Sequence, residues 1–210
     1  MTRVDSGDGR RPAARRGDGD RLREEILDVT ARMLEETGDS KALSLRKVAR
    51  EVGVTPTSIY LHFDSLKELT ATVKMQAFDR LSAVLMTATA DAKGSPRERV
   101  RAFVQAYVDF AFAHPGLYQV WFTSELSVPP DGSPENYIGQ TAFDVVRGRL
   151  AEVVGDDQAE MFTVQAWCAL HGIILLRTNR PLFNWPDLDS QLDDLVTRLL
   201  SAGAPERPAI

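Results

Sequence analysis

The chain has 210 residues, 43% of them hydrophobic, and a formal net charge of −5, which supplies a real core and argues against a protein coated in nucleic acid. A single cysteine, Cys168, excludes an intrachain disulfide and fits a reducing cytosol. The Arg-, Asp- and Gly-rich start has no apolar h-region, and the longest apolar run, 166–176, holds a histidine and is far too short to span a bilayer, so the sequence predicts a cytoplasmic protein with no membrane partner.

Charge is unevenly placed along the chain. Residues 1–23 carry seven arginines against four aspartates, whereas residues 71–210 carry twelve basic and seventeen acidic groups. A basic front on an acidic body suits an anionic partner at the N-terminal end. Residues 1–19 read as a disordered Arg-rich arm, either a solvated tail or an arm of the kind that reaches into a minor groove.

From there the chain reads as helices. Asp20 is placed to cap a first helix whose Leu22, Ile26, Val29, Met33 and Leu34 recur at helical spacing, with Gly38 where a C-cap belongs. Ser44 caps a short second helix with Leu45, Val48, Ala49 and Val52 on one face, and Gly53 ends it. Thr55 then caps a third, with Pro56 at the first helical position, where a missing N–H costs nothing. Ile59 and Phe63 form its buried side, and Asp64-Ser65 opens a long helix over about 66–92.

Two short helices joined by a Gly-Val turn behind a first helix make a helix-turn-helix. The second helix of such a pair enters the major groove with its N-terminal residues at the base edges. Thr57, Ser58, Tyr60 and His62 bring compact hydroxyls and a polar aromatic tip, which suit bases and phosphates.

The stretch LSLRKVAREVGVTPTSIYLHFDSLKEL, residues 43–69, resembles the DNA-binding signature of TetR-family transcriptional regulators. Val48-Ala49, Gly53-Val54, Ile59-Tyr60, His62-Phe63, Ser65 and Leu69 carry the resemblance. It implies that Ser44 and Arg46 meet phosphate, that Thr55, Thr57 and Ser58 face the groove, and that Tyr60 and His62 hold the backbone. Packing roles stay open for two of these: Tyr60 in the three-helix core, and His62 as a brace beside Phe63. The family's phosphate-contacting Lys at the start of the fourth helix is replaced here by Leu66, so that contact is either lost or shifted to Lys67.

Downstream, Ser95-Pro96-Arg97-Glu98 opens a helix with Phe103, Tyr107, Phe110 and His114, which Pro115-Gly116 breaks. Tyr118, Trp121 and Phe122 form a second aromatic face. After a Pro-, Gly- and Ser-rich loop at 128–134 come a helix with Ile138, Phe143, Val146 and Leu150, one starting at Asp156-Asp157, and a last amphipathic one stopping by Gly203. AHPGLYQVWF at 113–122 and WCALHGIILL at 167–176 resemble the regulatory domain named for its Trp-His-Gly positions, here Trp167, His171 and Gly172. This second resemblance implies a helical domain that binds a small effector and forms the dimer.

Phe103, Phe110, Phe122 and Phe162 read as packing, and His114 as a helix-end cap. The polar-tipped Tyr107, Tyr118, Trp121, Trp167 and His171 are the candidate effector contacts, since ligand sites between helices are apolar with a few polar groups. Leu192, Leu195 and Leu199 form one stripe and Ala166, Ala169 and Ile173 another. Both suit a dimer surface, the alternative being burial within one subunit. Cys168 and His171 share a helix face but have no orienting group, the histidines and the cysteine make no metal pattern, and no phosphate-binding glycine loop is present. The sequence therefore predicts neither an enzyme nor a cofactor or metal.

The expected fold is all-α. A helix-turn-helix DNA-binding domain at 20–65 joins a larger effector-binding and dimerisation domain at 66–203, with a tail at 204–210. The expected function is a homodimeric regulator, most simply a repressor, that binds inverted-repeat double-stranded DNA and is released by a small, fairly apolar effector. The rival is a helical dimeric protein-interaction module that never binds DNA.

Overall fold

Asp18 to Thr37 wind as α1, and Gly38 follows at φ +60 with its N–H on the Leu34 carbonyl (2.8 Å), a left-handed stop that favours glycine. The structure, a computed structural model, describes residues 18–92, 94–123 and 140–202. Residues 1–17 of the expected arm, the 128–134 loop, Ile138 and the tail from 203 lie outside the described residues. The helix begins two residues before the expected cap, so Asp20 sits in its first turn. A carboxylate there still complements the helix dipole.

A single 3-10 turn, Ser40–Ala42, leads into α2 (Leu45–Val52), and α3 (Pro56–Tyr60) follows after Gly53. α2 starts where the Ser44 hydroxyl accepts the Lys47 N–H (3.3 Å) and stops at Gly53, whose φ is +80. Thr55 caps α3 in the same way, its Oγ1 accepting the Ser58 N–H (3.3 Å) with Pro56 in the first turn. Each cap of this kind contributes about 1 kcal/mol. These helices close on Ile26, Leu27, Leu34, Val48, Ala49, Ile59 and Phe63, all buried. The Arg23 guanidinium lies 5.0 Å over the Phe63 ring.

α4 (Leu66–Asp91) runs out of this cluster and into the rest of the molecule. Its start is secured by Ser65, which accepts the Glu68 N–H (3.1 Å), and by the Glu68 carboxylate, which accepts the Asp64 N–H (2.6 Å). Leu69, Val73, Ala77, Leu81 and Leu85 repeat every four residues and are buried along its length.

Five helices pack around it and one another: α5 (Pro96–Ala113), α6 (Pro115–Thr123), α7 (Gln140–Val154), α8 (Asp156–Asn179) and α9 (Leu188–Ala202). α5 opens on a reciprocal capping box between Ser95 and Glu98. α7 packs on α8, and α5 packs on both α4 and α9. Arg101 of α5 bonds Asp189 (3.0 Å) and Asp193 (2.7 Å), which turns the acidic edge of α9 towards α5 while Leu192 and Val196 enter the core. Among the described residues only α8 is long and apolar enough to cross a membrane by length and composition. Here it buries Phe162, Ala166, Leu170 and Ile174 against its neighbours. The fold class is the all-α architecture read from the sequence, with no strand among the described residues.

Candidate functional site

α3 is held from beneath and bare above. Ile59 is 0% and Phe63 1% exposed, so the opposite side of this short helix must face outward. Thr55 and Thr57 are exposed, Ser58 is half-buried, and Tyr60 is 56% exposed. Tyr60 is therefore not a residue of the three-helix core. Leu61 beside it is 79% exposed and was no candidate on the sequence. Thr55 and Ser58 share a hydroxyl–hydroxyl bond (3.0 Å), which leaves one hydroxyl proton and acceptor capacity on Ser58 for an incoming partner.

The flanks of this surface are cationic. Arg46 and Lys47 lie exposed on the first turn of α2, and the Lys47 ammonium donates to the Ala42 carbonyl (2.7 Å). Lys67 is exposed on the first turn of α4. Ser44 spends its hydroxyl on the α2 cap and is half-buried. His62 is also half-buried, and a Cβ on Gly19 would sit 3.9 Å from its Cε1, so its ring lies against the start of α1. Exposed hydroxyls and an aromatic tip, bracketed by basic groups at helix starts, are chemistry for a polyanion carrying hydrogen-bonding bases.

Four of the five candidate effector residues meet inside the helical part. Tyr107, Tyr118 and Trp121 are buried, His171 is half-buried, and Trp167 is 44% exposed at the rim. The Tyr107 and Tyr118 hydroxyls are 3.3 Å apart, and Tyr118 Oη lies 2.8 Å from His171 Nδ1. Burial pushes the Tyr107 hydroxyl up to about 12 and the Tyr118 hydroxyl further in the same direction, and it holds His171 below the usual histidine value. All three are neutral at pH 7. The Trp121 ring stacks on Phe78 (4.4 Å between centroids) and on Phe110 (5.9 Å). Its Nε1–H is buried and has no hydrogen-bond partner among the described residues.

Separately, a small cleft between α4, α5 and α7 is lined by Thr89, Arg99, Phe103, Arg149 and Leu150. Of these, Phe103 and Leu150 stand out in the sequence as apolar positions at helical spacing, and the two arginines do not. An arginine one position before Val100 on an apolar helix was the available signal.

The two stripes considered for a dimer surface lie largely inside the chain, as their alternative reading has it. Ala166, Ile173, Leu192 and Leu199 are buried within the single chain, and Ala169 and Leu195 are half-buried. Helical spacing found faces that are buried, but they are buried against α5, α7 and each other. Another face of α8 does leave apolar side chains outside: Met161 (63% exposed), Val164 (37%) and Leu176 (53%), with Cys168 between them. Cys168 thus points outward while His171 turns to Tyr118, and the two form no nucleophile pair. No group of histidine, cysteine and carboxylate side chains fit to hold a metal occurs among the described residues.

Comparison with known proteins agrees with this arrangement. Residues 26–73 match the family of bacterial regulatory proteins, tetR family, and residues 100–202 match the tetracyclin repressor-like C-terminal domain. An uncharacterised HTH-type transcriptional regulator from Mycobacterium tuberculosis, Rv0681, is 30% identical over 197 residues, covering 88% of this chain and 82% of that protein. A TetR-family transcriptional regulator from Streptomyces coelicolor shares the fold with a TM-score of 0.70 at 15% identity, over 88% of this chain and 82% of that one. Another, from Marinobacter aquaeolei, aligns with a TM-score of 0.64 at 15% identity, over 90% and 98% of the two chains. An exposed, capped recognition helix and matches along both parts of the chain lead to one conclusion: the protein belongs to the TetR family of transcriptional regulators, DNA-binding proteins rather than enzymes.

Proposed function

We propose that this regulator acts in the cytoplasm as a homodimeric repressor, binding an inverted-repeat operator and releasing it when a small, fairly apolar effector enters the helical part. The observation that carries the reading is α3, anchored by buried Ile59 and Phe63 and presenting Thr55, Thr57 and Tyr60 to solvent. Thr55, Thr57 and Ser58 read the groove; Ser44, Arg46, Tyr60, His62 and Lys67 position the backbone. A single helix of this length gives a small contact area, so two copies on half-sites about one helical turn apart are needed. The exposed face of α8 around Met161 and Val164 supplies the surface by which the copies pair. The division into a DNA-binding unit at 20–65 and an effector unit at 66–203 is part of the same reading.

The effector contacts are Tyr107, Tyr118, Trp121, Trp167 and His171. Their support is a contiguous cluster of rings with neutral polar tips, the lining that small-molecule sites between helices use. Differential affinity of the effector for two arrangements of α4 and α6 would set the response.

Selection of bound sequences from a random duplex DNA pool, with purified ligand-free protein, tests the reading. An enriched inverted repeat, bound with a steep loss of affinity as salt rises, is the expected result. No enrichment at low salt sinks it and brings a protein-binding role forward.

A further inference from the structure

Among the described residues, two buried side-chain nitrogens have no hydrogen-bond partner, Arg99 Nε and Trp121 Nε1. The first lies on a half-buried residue at the small cleft, whose guanidinium is held through its Nη1, donating to the Gly94 carbonyl (3.4 Å). The second is different. Trp121 is 97% buried in residue terms, being 3% exposed, and an indole N–H is a donor with no acceptor capacity of its own. Proteins pair nearly all such groups, and one left unpaired at a binding domain's core points to a partner that arrives from outside.

The surroundings define that partner. The rings nearest Trp121 are Phe78, Phe110 and Tyr118. The two phenylalanines stack on the indole and are themselves half-buried, and neither carries an acceptor. The polar groups beside them satisfy one another: Tyr107 bonds Tyr118, and Tyr118 bonds His171. That leaves one unspent buried donor among aromatic rings.

We propose that the ligand of this cluster is an uncharged, largely apolar molecule that presents a carbonyl-type oxygen to the Trp121 indole N–H. This rests on the reading that the helical part binds a small molecule, and it adds the ligand's charge and the atom it must offer. A carbonyl oxygen supplies the missing acceptor at little desolvation cost, whereas a carboxylate must shed its hydration to enter. The tyrosine hydroxyls stay protonated and His171 neutral in this setting, so none of the three offers an anion a full positive charge. The nearest candidate for that role is Lys74, one helical turn before Phe78 on α4, and it already has a contact of its own.

The test uses the full chain with its tryptophans labelled with ¹⁵N. There are three, Trp121, Trp167 and Trp185, and Trp185 Nε1 already donates to the Arg180 carbonyl (2.9 Å). Trp121→Phe, or Trp167→Phe with Trp185→Phe by elimination if the first fails to fold, assigns the Trp121 indole resonance. Three probes of similar shape are titrated: acetophenone, ethylbenzene and benzoate. The expected result is a saturable downfield shift of the Trp121 indole proton with acetophenone alone, and affinity roughly tenfold weaker in Trp121→Phe, the worth of one well-made hydrogen bond. Ethylbenzene binding as well as acetophenone overturns the inference while leaving a small-molecule site in place. Preference for benzoate, the outcome Lys74 would favour, overturns it as well. So does the absence of any shift with all three, a result that leaves the regulator reading to the DNA selection.

Discussion

The Glu35 carboxylate, near the end of α1, accepts the backbone N–H groups of Gly116 (3.0 Å) and Leu117 (3.1 Å) at the start of α6. A side chain of the DNA-binding end thus caps a helix that carries Tyr118 and Trp121. The approach is close enough that a Cβ on Gly116 would overlap the Glu35 backbone carbonyl, so only glycine fits. His114 Nδ1 stands 4.0 Å from the same carboxylate. A movement of α6 that disturbs the Tyr118–His171 bond therefore pulls on α1 directly, as well as through α4.

Removing this cap has a measurable price in both parts. Glu35→Ala leaves two first-turn amides of α6 without their acceptor, at about 1 kcal/mol, and lowers the melting temperature by roughly 2–4 °C for a chain of this size. Glu35→Gln keeps one acceptor oxygen and loses less. Gly116→Ala, which forces the helices apart, loses more than either. Hydrogen exchange at the Gly116 and Leu117 amides is the local readout. Unchanged protection there in Glu35→Ala would show that the carboxylate holds nothing.

Tyr60→Ala weakens operator binding roughly tenfold, within the 1–3 kcal/mol of a direct contact, and leaves folding unchanged within about 0.5 kcal/mol, because the ring is 56% exposed. Ile59→Ala does the reverse: it removes a fully buried side chain and costs about 2–5 kcal/mol of stability. Filter binding and thermal melting on the two variants separate the roles. Loss of stability in Tyr60→Ala would return the tyrosine to the core.

What was legible in the sequence was whatever has a local signature. Ser44, Thr55, Ser65 and Ser95 announce helix starts within four residues, and each accepts the N–H its spacing predicts. Gly38 and Gly53 announce the stops. The dimer surface is not legible in the same way, for a physical reason. Leu192, Leu195 and Leu199 recur at the spacing of a buried face, and periodicity cannot say whether another helix or another subunit buries it. Glu35 carried no signal at all, since the amides it caps lie 81 and 82 residues away. Trp121 stands out in the sequence for its polar tip, but nothing in the sequence shows that its indole N–H is buried without a partner.

The revised pairing surface is tested by charge. Met161→Asp and Val164→Asp, each on the outer face of α8, place a carboxylate where the partner copy would bury it, and convert the dimer to monomer in sedimentation velocity. Helix content stays the same, because neither side chain belongs to the core of its own subunit. Asp193→Ala on α9 leaves the dimer intact, its carboxylate being spent on Arg101 within the chain. A monomer from the α9 change and not from the α8 changes would move the interface back to the last helix.

Lys74 supplies the pH dependence. It is 1% exposed, and burial pushes its ammonium down from 10.5 to about 8 in the folded chain. Below pH 8 both folded and unfolded chains hold the proton, and the penalty of the buried charge is constant. Between pH 8 and 10.5 the unfolded chain holds more protons than the folded one, so stability rises with pH across that window. The width of that window caps the gain at roughly 3 kcal/mol, less whatever solvent screening of the ammonium removes. Lys74→Met has no proton to lose, so its melting temperature exceeds that of the parent at pH 7 and the gap closes towards pH 10.5. Comparing the two proteins across the same buffers cancels the titration of every other group. Parallel profiles would mean that the folded chain keeps this ammonium solvated or compensated, and that α4 carries its charge through the core without cost.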